Sequence, residues 1–550
     1  MPEETQTTLS CLERHAIYNV SMSIKLKRPI SVSAEAVKRF LQSASHAAGR
    51  GDLVAALEIL GRARSLAPGD PDILLQLGLT HGLNFDYTAA GEHFEKAVHF
   101  STQKTLTISK AGSVAHSFYN LDLAERYLRL ATKQKDAAAA TWLRLARFLE
   151  GTRRFPDSAQ CLEQVCRLDP SLPEIPLMRA KLERQANRWE EAEKLLRSVP
   201  PASEASFRVE YTYELADVLD RQGRHEEAMA AYLEAKAPFQ RHLEVFRPSR
   251  EAFYGKRRRV IGQMSAKVLE RWFDAGPQLE PARRLAILCG HPRSGTTLLE
   301  QVLDSHPDIV AAEETLIFRQ DVCVPLLKCR PPEPDSADPA AFQLNLEALE
   351  AAPVDLLRRL RENYFSSMER CLGEPIAGRL VVDKNPMLSM LFLCGAPRVF
   401  PEAKFLVALR DPRDVCLSCF MQHLPRHIDV RRTAYFNLSS IVEHYVEEMT
   451  LWQKLAPIMA GRYLEVRYED MVDDLESVAR KTLEFLDVSW DPGVLGFHER
   501  AQRKVFGHKN YRDVSKPVYQ RARQRWRNYE KYFEPHQEKL APFVKAFGYD

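Results

Sequence analysis

Apolar and polar positions along the first half of the chain follow two nested periods. Within short stretches the apolar residues recur at helical spacing, as in Ala192, Leu195 and Leu196. Over longer distances one pattern returns: GDLVAALEIL at 51, FDYTAAGEHF at 85, YNLDLAERYL at 119, RRFPDSAQCL at 153, NRWEEAEKLL at 187 and GRHEEAMAAY at 223. Its central small residue is Ala56, Ala90, Ala124, Ala159, Ala192 and Ala228, with successive separations of 34, 34, 35, 33 and 36. Small residues let a neighbouring helix approach closely. Pro68, Pro170 and Pro201 fall near the unit ends, where a helix must stop.

A period near 34 with two amphipathic helices per unit matches the tetratricopeptide repeat. No unit can bury its apolar stripe alone, so the units are expected to stack into a curved all-α solenoid. Such a solenoid offers a groove for a protein partner or serves as a scaffold for the second half of the chain, and the sequence leaves both open. The expected organisation is an N-terminal segment over 1–40, the solenoid over 41–240, a helical junction over 241–283 and a second domain over 284–550. In the junction, KRRRV at 256–260 reads as a solvated basic helix face, with Ile261, Met264, Val268 and Leu269 as the apolar stripe.

From 284 onward the pattern changes to short apolar runs separated by helical ones. LAILCG at 285–290, LVVD at 380–383, AKFLVALR at 403–410 and RYLEVRY at 462–468 read as strands; TTLLEQVLDSH from 296 and MVDDLESVARKTLEFL from 471 read as helices. Buried strands alternating with helices predict an α/β domain with a parallel sheet covered on both faces. Ligands in such sheets bind beyond the carboxyl ends of the strands.

Composition adds exclusions. Apolar residues make up 45% and charged residues 27%, as in soluble globular proteins. Lys plus Arg is 77 against 74 for Asp plus Glu, a net charge of +3 that gives no global field for nucleic acid or anionic membrane. Any anion site is therefore local. The ten cysteines are scattered, and Cys416-x-x-Cys419 has no second pair to complete a zinc site, so reduced, packed thiols and no metal are expected. No run of about 18 apolar residues suggests a membrane span. The acidic, polar N-terminus lacks a secretory pattern, which makes a cytoplasmic location the expectation.

Two motifs carry chemistry. Gly290-His291-Pro292-Arg293-Ser294-Gly295-Thr296-Thr297 lies between a strand and a helix, where backbone N–H groups converge on an anion. Its G-x-x-x-x-G spacing is that of a Walker A loop, but Thr296 stands at the Lys position, which counts against a P-loop phosphotransferase. In Arg410-Asp411-Pro412-Arg413-Asp414-Val415-Cys416-Leu417-Ser418, Asp411 can cap the next helix and Pro412 suits its first position. Arg410 and Ser418, two helical turns beyond the cap, can then clamp a second phosphate.

PRSGTTLLEQVLDSHP, AEET, VDKNP, LRDPRDVCLS, RYED and SKPVY with RWRNYE, in that order, resemble a sulfotransferase. With the repeats in front, the chain is similar to bacterial tetratricopeptide-repeat sulfotransferases and, more widely, to tyrosylprotein sulfotransferases. The resemblance covers roughly residues 284–550 and implies a P-loop-like fold. It also implies a metal-free transfer from 3′-phosphoadenosine 5′-phosphosulfate to a hydroxyl acceptor, with a protein or peptide tyrosine, a glycan or a small molecule all open.

By that resemblance Arg293, Ser294, Gly295, Thr296 and Thr297 hold the 5′ phosphosulfate, and Arg410 and Ser418 the 3′-phosphate. Tyr468 approaches the adenine end, and Lys516 and Arg525 belong to a donor-closing loop. Glu314 is implied as general base, with Lys384 and Arg293 stabilising the transition state. Asn510 stands where the tyrosylprotein branch has a catalytic Ser, with Ser515 five residues later. This departure keeps open a repeat scaffold with an inactive domain.

Overall fold

The computed structural model describes residues 34–199, 205–328, 346–386, 388–393, 395–423, 432–503 and 520–550. In its first half, twelve helices among the described residues stack as six antiparallel pairs: α1 (Ala34–Gly49) with α2 (Leu53–Leu66), α3 (Pro71–Leu83) with α4 (Tyr87–Phe100), and α5 (Lys104–Ser117) with α6 (Leu121–Thr132). They continue with α7 (Ala139–Gly151) and α8 (Phe155–Leu168), α9 (Glu174–Gln185) and α10 (Trp189–Arg197), and α11 (Ala205–Arg221) and α12 (His225–Lys236). Of the six recurring alanines, Ala56, Ala90, Ala124, Ala192 and Ala228 are fully buried in the second helix of their pairs. Close packing also fixes Gly78 and Gly82 of α3, where a Cβ would run into Phe94 and Phe118.

One residue per turn takes a left-handed backbone conformation: Gly51, Phe85, Tyr119, Arg153, Asn187 and Gly223, with φ between 58 and 84°. They lie at the start of the six repeated segments, so one edge of the solenoid carries a row of equivalent turns. In the first three pairs the next residue caps the following helix. Asp52 accepts from Ala55 N, Asp86 from Ala89 N and Asn120 from Leu123 N. In the last three pairs that position is Arg154, Arg188 or Arg224, which make ion pairs instead; Arg224 Nη1 lies 2.7 Å from Glu193 of the preceding pair.

Helices α13 (Arg241–Gln263) and α14 (Ala266–Asp274) lead into the sheet. Arg257 of the basic run is not solvated: it is buried and ion-paired with buried Glu448. Phe253 and Tyr254 of α13 stack on the same guanidinium.

The sheet has five parallel strands in the order β2-β3-β1-β4-β5. They are β1 (Leu285–Gly290), β2 (Ile309–Glu313), β3 (Leu380–Lys384), β4 (Lys404–Leu409) and β5 (Tyr463–Arg467). β2 is an addition to the four strands expected from sequence; pairing with β3, rather than any long apolar run, defines it. The helix expected from 471 is two short ones, Tyr468–Asp473 and Leu475–Phe485, the second capped by Asp474.

Alternate residues of each strand enter two cores. Leu285, Ile287 and Cys289 of β1 face one, and Ala286 and Leu288 face the other. The first core is continuous with the solenoid: Tyr213, Leu219, Met229 and Tyr232 of α11 and α12 belong to it. The last repeat and the sheet domain thus share buried apolar surface. Lys236 at the end of α12 is buried there and donates to Tyr435 O at 2.7 Å.

Candidate active site

β1 lies between β3 and β4, and the chain returns to opposite sides of it, so a crevice opens at the carboxyl ends of these strands. The loop after β1 leads into α15 (Thr296–Asp304). Gly290 has φ 143° and its missing Cβ would lie 2.6 Å from Ala408 O, so β4 admits no side chain there. Gly295 has φ 95°, and a Cβ on it would meet the Tyr468 ring at 2.8 Å. The loop is therefore seated on Tyr468, with the N–H groups of the first turn of α15 directed outward.

The two expected motifs meet. Arg293 Nε donates to Ser418 Oγ at 3.0 Å, and Arg410 Nη1 donates to Arg293 O at 3.3 Å. The Arg410 guanidinium stacks over the Tyr468 ring at 4.8 Å. Asp411 accepts from Arg413 N, capping the helix Pro412–Phe420 that carries Ser418. Asp414, on the same helix, lies 3.8 Å from Arg410. Burial pushes the Asp414 carboxyl up to about 6 despite the opposing effect of Arg410. Arg410 Nε is buried without a hydrogen-bond partner among the described residues.

A second cluster sits at the tips of β2 and β3. Lys384 is fully buried, with Nζ 2.7 Å from Glu300 Oε2, 3.5 Å from Glu314 Oε1 and 3.4 Å from Thr297 Oγ1. Burial alone would lower its pKa, but the carboxylates of Glu300 and Glu314 outweigh that and hold it above its ordinary value. The ammonium therefore stays charged. Asp383 points to the opposite face, where Tyr364 OH donates to it at 2.7 Å. Glu314 follows β2 with φ 41°, and its N–H donates to Lys384 O at 3.0 Å. That contact holds a third-exposed carboxylate at the mouth of the crevice.

Both clusters open into one chamber of 1310 Å³, walled on its far side by Arg153, Asn187 and Gly223 of the solenoid's turn edge. Earlier members of the same edge also approach the sheet domain: Gly51 abuts Arg319, and Phe85 packs on the shared core. Ser294 and Thr296 are buried in the loop, while Gly295, Thr296, Thr297, Ser418 and Tyr468 line the chamber. Arg525 also lines it, and its Nη2 lies 2.6 Å from Asp220 of α11. Lys516, Asn510 and Ser515 lie outside the described residues. Glu300 and Asp220 are not among the residues expected from sequence. Glu300 had one signal, an acid on the helix that also carries Thr296 and Thr297; Asp220 had none, because its partner is far along the chain.

Among the described residues no cluster of three or more His, Cys, Asp or Glu could hold a metal ion, and no helix is long and apolar enough to cross a membrane. Residues 286–492 match the sulfotransferase family, and residues 177–241 match a tetratricopeptide repeat. An uncharacterized protein of Aquifex aeolicus is 28% identical over 292 residues, 50% of this chain and 34% of that protein. Protein-tyrosine sulfotransferase 1 of Danio rerio is 28% identical over 281 residues, 48% of this chain and 72% of that protein. Among solved structures, the sulfotransferase domain of the Synechococcus PCC 7002 olefin synthase aligns with a TM-score of 0.35 and 22% identity, covering 49% of this chain and 96% of that one. The chain thus spans about a third of the Aquifex relative and most of the Danio one. On these matches residues 286–492 are similar to the sulfotransferase family, and a tetratricopeptide-repeat match at 177–241 precedes them.

Proposed function

We propose that this protein transfers a sulfuryl group from 3′-phosphoadenosine 5′-phosphosulfate to a hydroxyl acceptor. The observation that carries the reading is the convergence of Arg293, Ser418 and Arg410 with Thr297 and Glu314 on one chamber, with the Lys384 ammonium buried directly behind Thr297 and Glu314. The residues suit a doubly phosphorylated nucleotide. The left-handed turn at Gly295 seats the anion loop on Tyr468 in the chamber wall, and buried Arg410 Nε has a hydrogen-bonding valence to offer an anion. When bound, the donor supplies the sulfuryl group and a phosphate that accepts the leaving charge.

The chain's own residues then divide the work. Thr296, Thr297 and the loop N–H groups hold and orient the reacting end, and Arg410 with Ser418 holds the 3′-phosphate. Lys384 and Arg293 stabilise charge that grows in the transition state. Glu314 takes the acceptor's proton, and Lys384 at 3.5 Å steadies its carboxylate. Tyr468 forms the floor under the loop near the nucleotide. Protein-tyrosine sulfotransferases among the relatives favour a peptide or protein tyrosine as acceptor, and a partner held by the solenoid belongs to the same reading. A cytoplasmic setting fits the seven free thiols among the described residues.

Calorimetry with 3′-phosphoadenosine 5′-phosphate, beside ATP–Mg²⁺, tests the donor. Transfer of radiolabelled sulfate to peptides and glycans tests the acceptor. Binding of the adenosine bisphosphate and not of ATP–Mg²⁺ is expected; binding of neither rejects the reading.

A further inference from the structure

The segment carrying Arg525 is held from two sides. The sheet domain grips its backbone and ring: Arg410 Nη2 donates to Ala522 O, Asp414 accepts from Trp526 N at 2.9 Å, and the Arg413 guanidinium stacks on the Trp526 ring at 4.0 Å. The solenoid grips its side chains through one carboxylate. Asp220 Oδ2 accepts from Arg525 Nη2 at 2.6 Å, and Asp220 Oδ1 accepts from Tyr529 OH at 2.7 Å. His225 Nδ1, on the next helix, is 3.7 Å from the same Oδ1, and its ring meets that of Tyr529 edge-on. The Asp220 side chain is nine-tenths buried and sits three residues before the Gly223 turn that walls the chamber.

We infer that Asp220, a residue of the solenoid, is a positioning residue for the donor site: it fixes Arg525 in the chamber wall so that the guanidinium faces the bound nucleotide. This rests on the donor reading above. A free arginine side chain loses rotamer freedom when it is held on a ligand, and a carboxylate that orders it beforehand removes that cost from binding. Only one of the five guanidinium N–H groups is used on Asp220, which leaves Arg525 donors to spare for an anion. A continuous line of contacts joins the last repeat to the anion loop: Asp220, Arg525, Trp526 N, Asp414, Arg410, Arg293. The solenoid thereby completes the nucleotide site as well as walling it.

The full chain is titrated with 3′-phosphoadenosine 5′-phosphate as wild type and as Asp220→Asn, Asp220→Glu and Glu226→Gln. Glu226 is the control. It pairs with Lys531 and accepts from Tyr532 OH at 3.2 Å across the same boundary, but it is exposed and does not line the chamber. Asp220→Asn should weaken binding about tenfold, the effect of losing one charge-assisted contact. Donor KM should rise equally, kcat should change less than about twofold, and Asp220→Glu should fall between. Glu226→Gln should leave affinity within about twofold. Wild-type affinity in folded Asp220→Asn, tighter binding in it, or equal weakening by Glu226→Gln overturns the inference while the donor reading stands. If Asp220→Asn does not fold, an unchanged affinity in Asp220→Glu overturns it alone. A wild type that binds no adenosine bisphosphate removes both.

Discussion

Lys384 is wholly buried yet charged, and Glu300 is the reason. Breaking such a pair leaves an uncompensated ion, whereas replacing both partners with apolar side chains of similar size is far less costly. Lys384→Met should therefore lower stability by roughly 3–5 kcal/mol, and the Lys384→Met/Glu300→Met double variant should recover most of it in denaturant curves. Turnover should be lost in both, because the charge held behind Thr297 and Glu314 is gone. Glu314 is different: it is a third exposed and pairs only at the rim. Glu314→Gln should leave adenosine bisphosphate affinity near wild type while reducing kcat by about 10²–10⁴-fold, the usual worth of a general base. An unchanged kcat would remove Glu314 from that role. The candidate loop residues are legible in the sequence because a strand, a glycine turn and a helix are contiguous. Glu300 is not, since burial of an acid inside a helix depends on the strand that brings Lys384 to it.

At the level of elements, the solenoid's turns show how one repeat position serves two purposes. Asp52, Asp86 and Asn120 cap their helices, whereas Arg154, Arg188 and Arg224 make ion pairs at the equivalent place. Asp86→Ala should cost about 1 kcal/mol of stability in urea. Arg188→Ala, which removes a solvent-exposed pair and no cap, should leave the midpoint where it is. A larger loss for Arg188 than for Asp86 would contradict this division. The repeat period and the helix pairs follow from the chain alone, because each unit makes mostly local contacts. β2 does not: Ile309–Glu313 is five residues long, and its identity comes from hydrogen bonds to β3, some seventy residues away.

For the molecule as a whole, Lys236 is the sensitive point, buried where the last repeat meets the sheet domain. Burial lowers its pKa from the ordinary 10.5 to about 7. In the unfolded chain it keeps its proton up to the ordinary value, so between those limits the unfolded state binds more protons than the folded one. Stability should accordingly rise with pH from about 7 toward 10, relative to Lys236→Met, in which that component of the slope is absent. Parallel slopes for the two proteins over that range would show that Lys236 is not buried as a cation-averse group. Because Tyr213 and Tyr232 lie in the same core as the strands, destabilising this junction should unfold repeat and sheet together.

By itself the sequence determined the period of the solenoid, the alternation of buried strands and helices, and the two strand-end loops of the candidate site, all of which depend on residues close in the chain. Only the tertiary structure decided which groups face one another: Glu300 with Lys384, Arg293 with Ser418, and Asp220 with Arg525. Periodicity records which face of an element is buried. The partner across that buried surface is set by how the elements pack, and no local pattern encodes it.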